Sequence, residues 1–89
     1  MILGIYGAGG LGREVYELAS SINSYKNCWD EIFFIDDGEI INNPRNASII
    51  KFKNLKDKYN LQDFEVCIAI GEPQIRKILF ERLVSEYAF

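Results

Sequence analysis

Apolar residues gather in short runs along this chain, and the stretches between them alternate between helical periodicity and turn-rich breaks. Residues 2–6 (ILGIY) are almost wholly apolar, which predicts a first strand buried on both faces, as in a parallel sheet. From residue 11 to about 21 the period changes. Leu11, Val15, Leu18, Ala19 and Ile22 recur at helical spacing, with Arg13, Glu14 and Glu17 off that stripe. This helix is expected to end in Ile22-Asn23-Ser24. Residues 31–35 (EIFFI) predict a second strand, closed by Asp36-Asp37-Gly38. Residues 39–47 contain Asn42-Asn43-Pro44 and read as an exposed loop. A weaker third strand is predicted over 48–52, and one or two helical turns over 55–59. Residues 65–70 (EVCIAI) predict a fourth strand. Gly71-Glu72-Pro73 then opens a last helix to about residue 86, with Ile75, Ile78, Leu79 and Leu83 as its apolar face.

Strands that alternate with helices imply parallel pairing through right-handed crossovers. The expected architecture is α/β, a single domain over residues 1–89. It is a small Rossmann-like parallel sheet of about four strands in the order 3-2-1-4, flanked by helices. Ligands in such sheets bind at the carboxyl ends of the strands, near the switch in strand order. Here that rim carries residues 7–12, Asp36 to Gly38, and Gly71 with Glu72.

The rim's first segment is Gly7-Ala8-Gly9-Gly10-Leu11-Gly12, a GxGxxG turn between the first strand and the first helix. Gly7 allows a sharp exit from the strand with positive φ. Gly9, lacking a Cβ, lets a phosphate approach the backbone, and Gly12 lets the helix pack closely on the strand. Gly10 is an extra glycine. Backbone N–H groups and a helix N-terminus then surround one volume suited to a phosphate or pyrophosphate. The bland alternative is a glycine-rich turn that binds nothing.

Composition narrows the chemistry. The net charge of −3 argues against a nucleic-acid partner. Lys51, Lys53, Lys56 and Lys58 are interrupted by Asp57 and apolar residues and read as a solvated face. No run is long enough to span a membrane and no signal peptide is evident, so a cytoplasmic location is expected. Cys28 and Cys67 match no metal spacing, and no metal site is expected. There is no histidine, which removes the commonest general base and the Ser-His and Cys-His nucleophile pairs. No catalytic residue is assigned: the chain reads as one that holds a ligand.

Asp36 and Asp37 end the second strand about two dozen residues past Gly12, where an acid binds ribose hydroxyls in dinucleotide folds. An acid there would repel a 2′-phosphate, and it could equally accept the N3–H of a uracil; spacing leaves both open. Arg13, Glu72 and Arg76 are further candidates on the rim, each also explicable as a solvated helix residue. Glu14 suits a helix N-terminus electrostatically.

Taken together, GIYGAGGLGREVYEL, WDEIFFIDDG and FEVCIAIGEPQIRKILFERL resemble the N-terminal domain of bacterial sugar acetyltransferases of the PglD and NeuD type, the sialic acid O-acetyltransferase or sugar O-acyltransferase family. The resemblance covers nearly the whole chain. It implies a Rossmann-like domain that binds a UDP-linked amino sugar or related nucleotide sugar and does no redox chemistry. By motif matching, Gly7, Ala8, Gly9, Gly10 and Gly12 cradle the diphosphate, Asp36 and Asp37 face the nucleoside, and Gly71 lines the same cleft. Many members carry His at the position of Leu11.

The resemblance also implies a following left-handed β-helix of hexapeptide repeats that carries the catalytic histidine, binds acetyl-CoA and makes a homotrimer. That domain is absent from these 89 residues. The chain is therefore expected to be an isolated substrate-binding domain, inactive alone, with no cofactor of its own and acetyl-CoA left to the missing domain. Two other readings stand beside it. One is an NAD(H)-binding sensor domain. The other is a protein-association domain with an unused cleft, for which an exposed apolar patch is expected and Tyr87-Ala88-Phe89 hints at an edge that packs on something further.

Overall fold

The computed structural model describes residues 1–38, 47–59 and 63–87. Four parallel strands form one sheet in the order β3-β2-β1-β4. They are β1 (Ile2–Tyr6), β2 (Glu31–Ile35), β3 (Ile49–Ile50) and β4 (Phe64–Ile68). Among the described residues three α-helices accompany them: α1 (Gly10–Lys26), the short α2 (Leu55–Lys58) after a 3-10 turn at Phe52–Asn54, and α3 (Pro73–Tyr87). The strand order is the expected one. The loop expected over 39–47 falls mostly, and the Ala88-Phe89 edge wholly, outside the described residues.

The sheet has a core on each face. On one side Leu3, Ile5 and Phe34 pack with Ala19 of α1, supported by Val15 and Tyr16. On the other Tyr6, Phe33, Ile35, Phe52, Leu55 and Phe64 pack with Leu83 of α3. Alternation along EIFFI explains the division. Ile32 and Phe34 point to the α1 side, Phe33 and Ile35 to the α3 side. Aromatic rings carry much of the contact: Tyr16 stacks on Phe34 with centroids 5.0 Å apart, and Phe33 on Tyr59 at 4.8 Å.

Both long helices bury only part of the expected stripe, Val15 and Ala19 in α1 and Leu79 and Leu83 in α3. In α1 the inward residues are Gly12, Val15, Tyr16 and Ala19, while Leu11 and Leu18 are exposed. Gly12 and Ala19 let the helix approach the sheet closely, and the flanking leucines face solvent. The helix also runs past residues 22–24, to Lys26, and ends on Asn27 in the left-handed conformation (φ 51°). Asn23 does not break it, because its side chain caps elsewhere: Nδ2 donates to the Trp29 carbonyl (2.9 Å) and Oδ1 accepts the Trp29 N–H (2.8 Å). In α3 Leu83 is buried and Leu79 partly so, but Ile75, Ile78, Phe80 and Val84 are exposed. The helix covers an outer strand of a four-stranded sheet, which offers it only a narrow contact. No helix among the described residues is long and apolar enough to cross a membrane.

Candidate functional site

Tyr6 stands level with Ile35 on one side and Ile68 on the other. Gly7, Asp36 and Ala69 therefore leave the sheet at one level and form its carboxyl rim. Gly7 turns the chain with φ 113°, and its N–H donates to the Ile35 carbonyl at 2.8 Å. A Cβ there would meet Ile70 Cδ1 at 2.6 Å and the Ala69 carbonyl oxygen at 2.9 Å. Position 7 thus demands glycine both by conformation and by space. A Cβ on Gly12 would overlap the Gly7 carbonyl oxygen, so α1 rests directly on the turn. Among the described residues nothing lies within 4 Å of where a Cβ on Gly9, Gly10 or Gly71 would sit. The protein's own packing does not require glycine at those three places.

The N-terminus of α1 opens from Gly9, which has no side chain to cap it, and its first turn holds no acid. The charge in that turn is Arg13, exposed to solvent. Glu14 lies one residue beyond it. Helix α3 differs. Glu72 caps its N-terminus, accepting the N–H of Gln74 at Oε1 (3.2 Å) and of Ile75 at Oε2 (2.9 Å). Its carboxylate is thereby engaged with its own helix. Arg76, one turn on, lines a shallow groove between α3 and β4 with Val66, Ile68, Pro73, Lys77 and Phe80. The structure brings Gly7, Ala8, Asp36 and the Ala69–Ile70 pair together at the head of α1. It directs Glu72 and Arg76 to α3.

The two acids after β2 part company. Asp36 is partly buried; its Oδ2 accepts the Ala8 N–H (2.9 Å) and its Oδ1 the Gly38 N–H (2.7 Å). Its carboxylate stands against the glycine turn. Asp37 turns to the α3 side: Oδ1 accepts the Phe52 N–H (2.9 Å) and Oδ2 pairs with Arg82 Nη1 (3.1 Å). Arg82 also donates to Tyr6 Oη (3.1 Å) and lies over the Phe52 ring, 4.0 Å from its centroid. Burial pushes the Tyr6 phenol above its ordinary value, with Arg82 partly opposing this and Asp37 and Asp36 adding to it. Arg82 is the residue that sequence reasoning missed. Its signal was positional, since it sits between Leu79 and Leu83 on the inward stripe of α3.

A parallel sheet in the order β3-β2-β1-β4, with a Gly-rich turn between β1 and α1, defines a Rossmann-like α/β domain. Residues 2–83 match the family described as the PglD N-terminal domain, and the chain belongs to it. It is similar to the acetyltransferase domain of PglB from Neisseria gonorrhoeae FA1090, with 27% identity and a TM-score of 0.74 over 94% of this chain. The same domain in complex with acetyl coenzyme A gives 27% identity and a TM-score of 0.73. This chain spans 39% and 38% of the lengths of those two chains. No curated protein matches it.

The expectation that acetyl-CoA is left to a separate, missing domain is overturned by the second of these structures. That complex is of one acetyltransferase domain carrying acetyl coenzyme A, and this chain matches 38% of that same chain. That expectation came from the resemblance alone; no residue pattern in these 89 positions bears on where acetyl-CoA is bound.

Proposed function

We propose that this chain provides the nucleotide-sugar site of an acetyltransferase and does not transfer acetyl by itself. The diphosphate of a UDP-linked amino sugar lies against the amides at the head of α1, above Gly9 and Gly10. Asp36 faces the nucleoside and Gly71 borders the cleft. One observation carries the reading: the α1 N-terminus has no side-chain cap, no acid in its first turn and open space over its glycines, whereas α3 fills its own N-terminus with Glu72. Free amides and a helix dipole favour an anion there.

An NMR amide titration tests it, with UDP, a UDP-amino sugar, NADH and acetyl-CoA added separately. Shifts at residues 7–12 and 36–38 with both uridine ligands are expected. Shifts with NADH alone would transfer the site to a nicotinamide sensor. Shifts with acetyl-CoA alone would assign the turn to the cofactor's pyrophosphate. Acetyl transfer by the purified chain would overturn the proposed lack of activity.

A further inference from the structure

The glycine turn and the acid turn are joined on both faces of the sheet. On the α1 face the Ala8 N–H reaches Asp36 Oδ2 at 2.9 Å. On the α3 face Arg82 Nη1 reaches both Tyr6 Oη and Asp37 Oδ2, each at 3.1 Å. Tyr6 immediately precedes Gly7, and Asp37 immediately follows Asp36. A single guanidinium from α3 therefore spans the residues that flank the two turns. Its position is constrained further by the Phe52 ring beneath it, which also stacks on Tyr6 with centroids 5.7 Å apart, and by the Phe52 N–H on Asp37.

From this arrangement we infer that Asp37 and Arg82 are a positioning pair for the ligand cleft, and that Asp37 does not itself touch the ligand. The inference rests on the nucleotide-sugar reading of that cleft. Direction decides it. The partners of Asp37, Arg82 and Phe52, belong to the α3 side, where Tyr6 and Phe52 form part of the core. Ala8, which bonds Asp36, belongs to the α1 side, where the glycine turn lies. The pair anchors the turn after β2 to the Tyr6 end of β1, beyond the last rung of the backbone ladder. That anchor sets how the Asp36 carboxylate meets the Ala8 amide, and hence the shape presented to a nucleoside diphosphate. An Arg is suited to this, since one terminal nitrogen of its guanidinium, Nη1, donates to both acceptors while the planar group rests on an aromatic ring.

The experiment is a double-mutant cycle on the 89-residue chain, with UDP as the probe and calorimetry as the readout. Arg82→Met keeps the apolar stem over Phe52 and removes the charge; Asp37→Asn removes the partner. Each single variant is expected to weaken UDP binding by about three- to tenfold, and the double variant no more than either alone. The Ala8 and Gly38 amide resonances of ligand-free Arg82→Met should shift as well, which a simple loss of stability would not produce. Arg82→Lys should move them less.

A further loss of affinity from Asp37→Asn in the Arg82→Met background would overturn the inference, because Asp37 would then meet the ligand directly. Unchanged affinity and unchanged Ala8 and Gly38 resonances would overturn it too, leaving an inert surface ion pair. If the unmutated chain does not bind UDP, the nucleotide-sugar reading fails. The ligand-free resonances still decide whether the pair positions the turns.

Discussion

Gly12 and Gly9 belong to one motif and answer to different forces. A methyl group on Gly12 collides with the Gly7 carbonyl oxygen, so α1 must lift off the turn. Gly12→Ala should cost at least about 2 kcal/mol in urea unfolding. A methyl on Gly9 meets nothing. Gly9→Ala should leave stability within about 0.5 kcal/mol while weakening UDP, which separates a glycine kept for packing from one kept for a ligand. Tyr6 adds a pH dependence. Its folded value is raised above 10.0, chiefly by burial, so the folded chain holds the phenolic proton more tightly than the unfolded one. Stability from this source is complete below the unfolded value and is lost as pH rises through the folded one. Tyr59 is shifted the same way, by burial first and then by the Glu31 carboxylate. Urea unfolding from about pH 9 to about pH 12 should show stability falling, and Tyr6→Phe should flatten part of that fall.

Among the elements, α3 shows how burial and hydrophobicity can separate. Ile78 and Phe80 are 60% and 58% exposed, so Ile78→Ser should change thermal stability by no more than about 0.5 kcal/mol although it removes an apolar residue from a helix. Glu72→Ala should cost a similar amount or slightly more, about 0.5–1 kcal/mol, because it frees the Gln74 and Ile75 amides at an exposed helix end. Circular dichroism melts of the two variants check both. The apolar spacing of α1 and α3 announced two helices, and both are present. It placed only part of each inward face, Val15 and Ala19 in α1 and Leu79 and Leu83 in α3, because spacing ranks residues by hydrophobicity while contact depends on how near the axis comes. Gly12 and Ala19 bring α1 close, and Tyr16 reaches Phe34, leaving Leu11 and Leu18 outside. The strand EIFFI raised no such difficulty, since period-two alternation assigns faces without reference to distance.

The described residues of this 89-residue chain form a thin sheet with a small core on each face, so a bound ligand should contribute a sizeable part of its stability. At a hundredfold excess over Kd, UDP should add about 2.7 kcal/mol and raise the melting temperature by several degrees. A thermal-shift series with UDP and NADH at matched concentrations measures this, and an equal response to both would count against a uridine-specific cleft. By itself the sequence determined the alternation of strands and helices, the order 3-2-1-4 and the place of the glycine turn. Each of these follows from local periodicity, chain connectivity and the stereochemistry of glycine. The tertiary structure alone decided the fates of the neighbouring acids and of Arg82. Asp36 and Asp37 are adjacent and chemically alike. One meets the Ala8 amide and the other a guanidinium 45 positions further along. Adjacent residues at a strand end diverge to opposite faces, and which partner waits on each face depends on how α1 and α3 are packed there, a long-range fact that no local pattern carries.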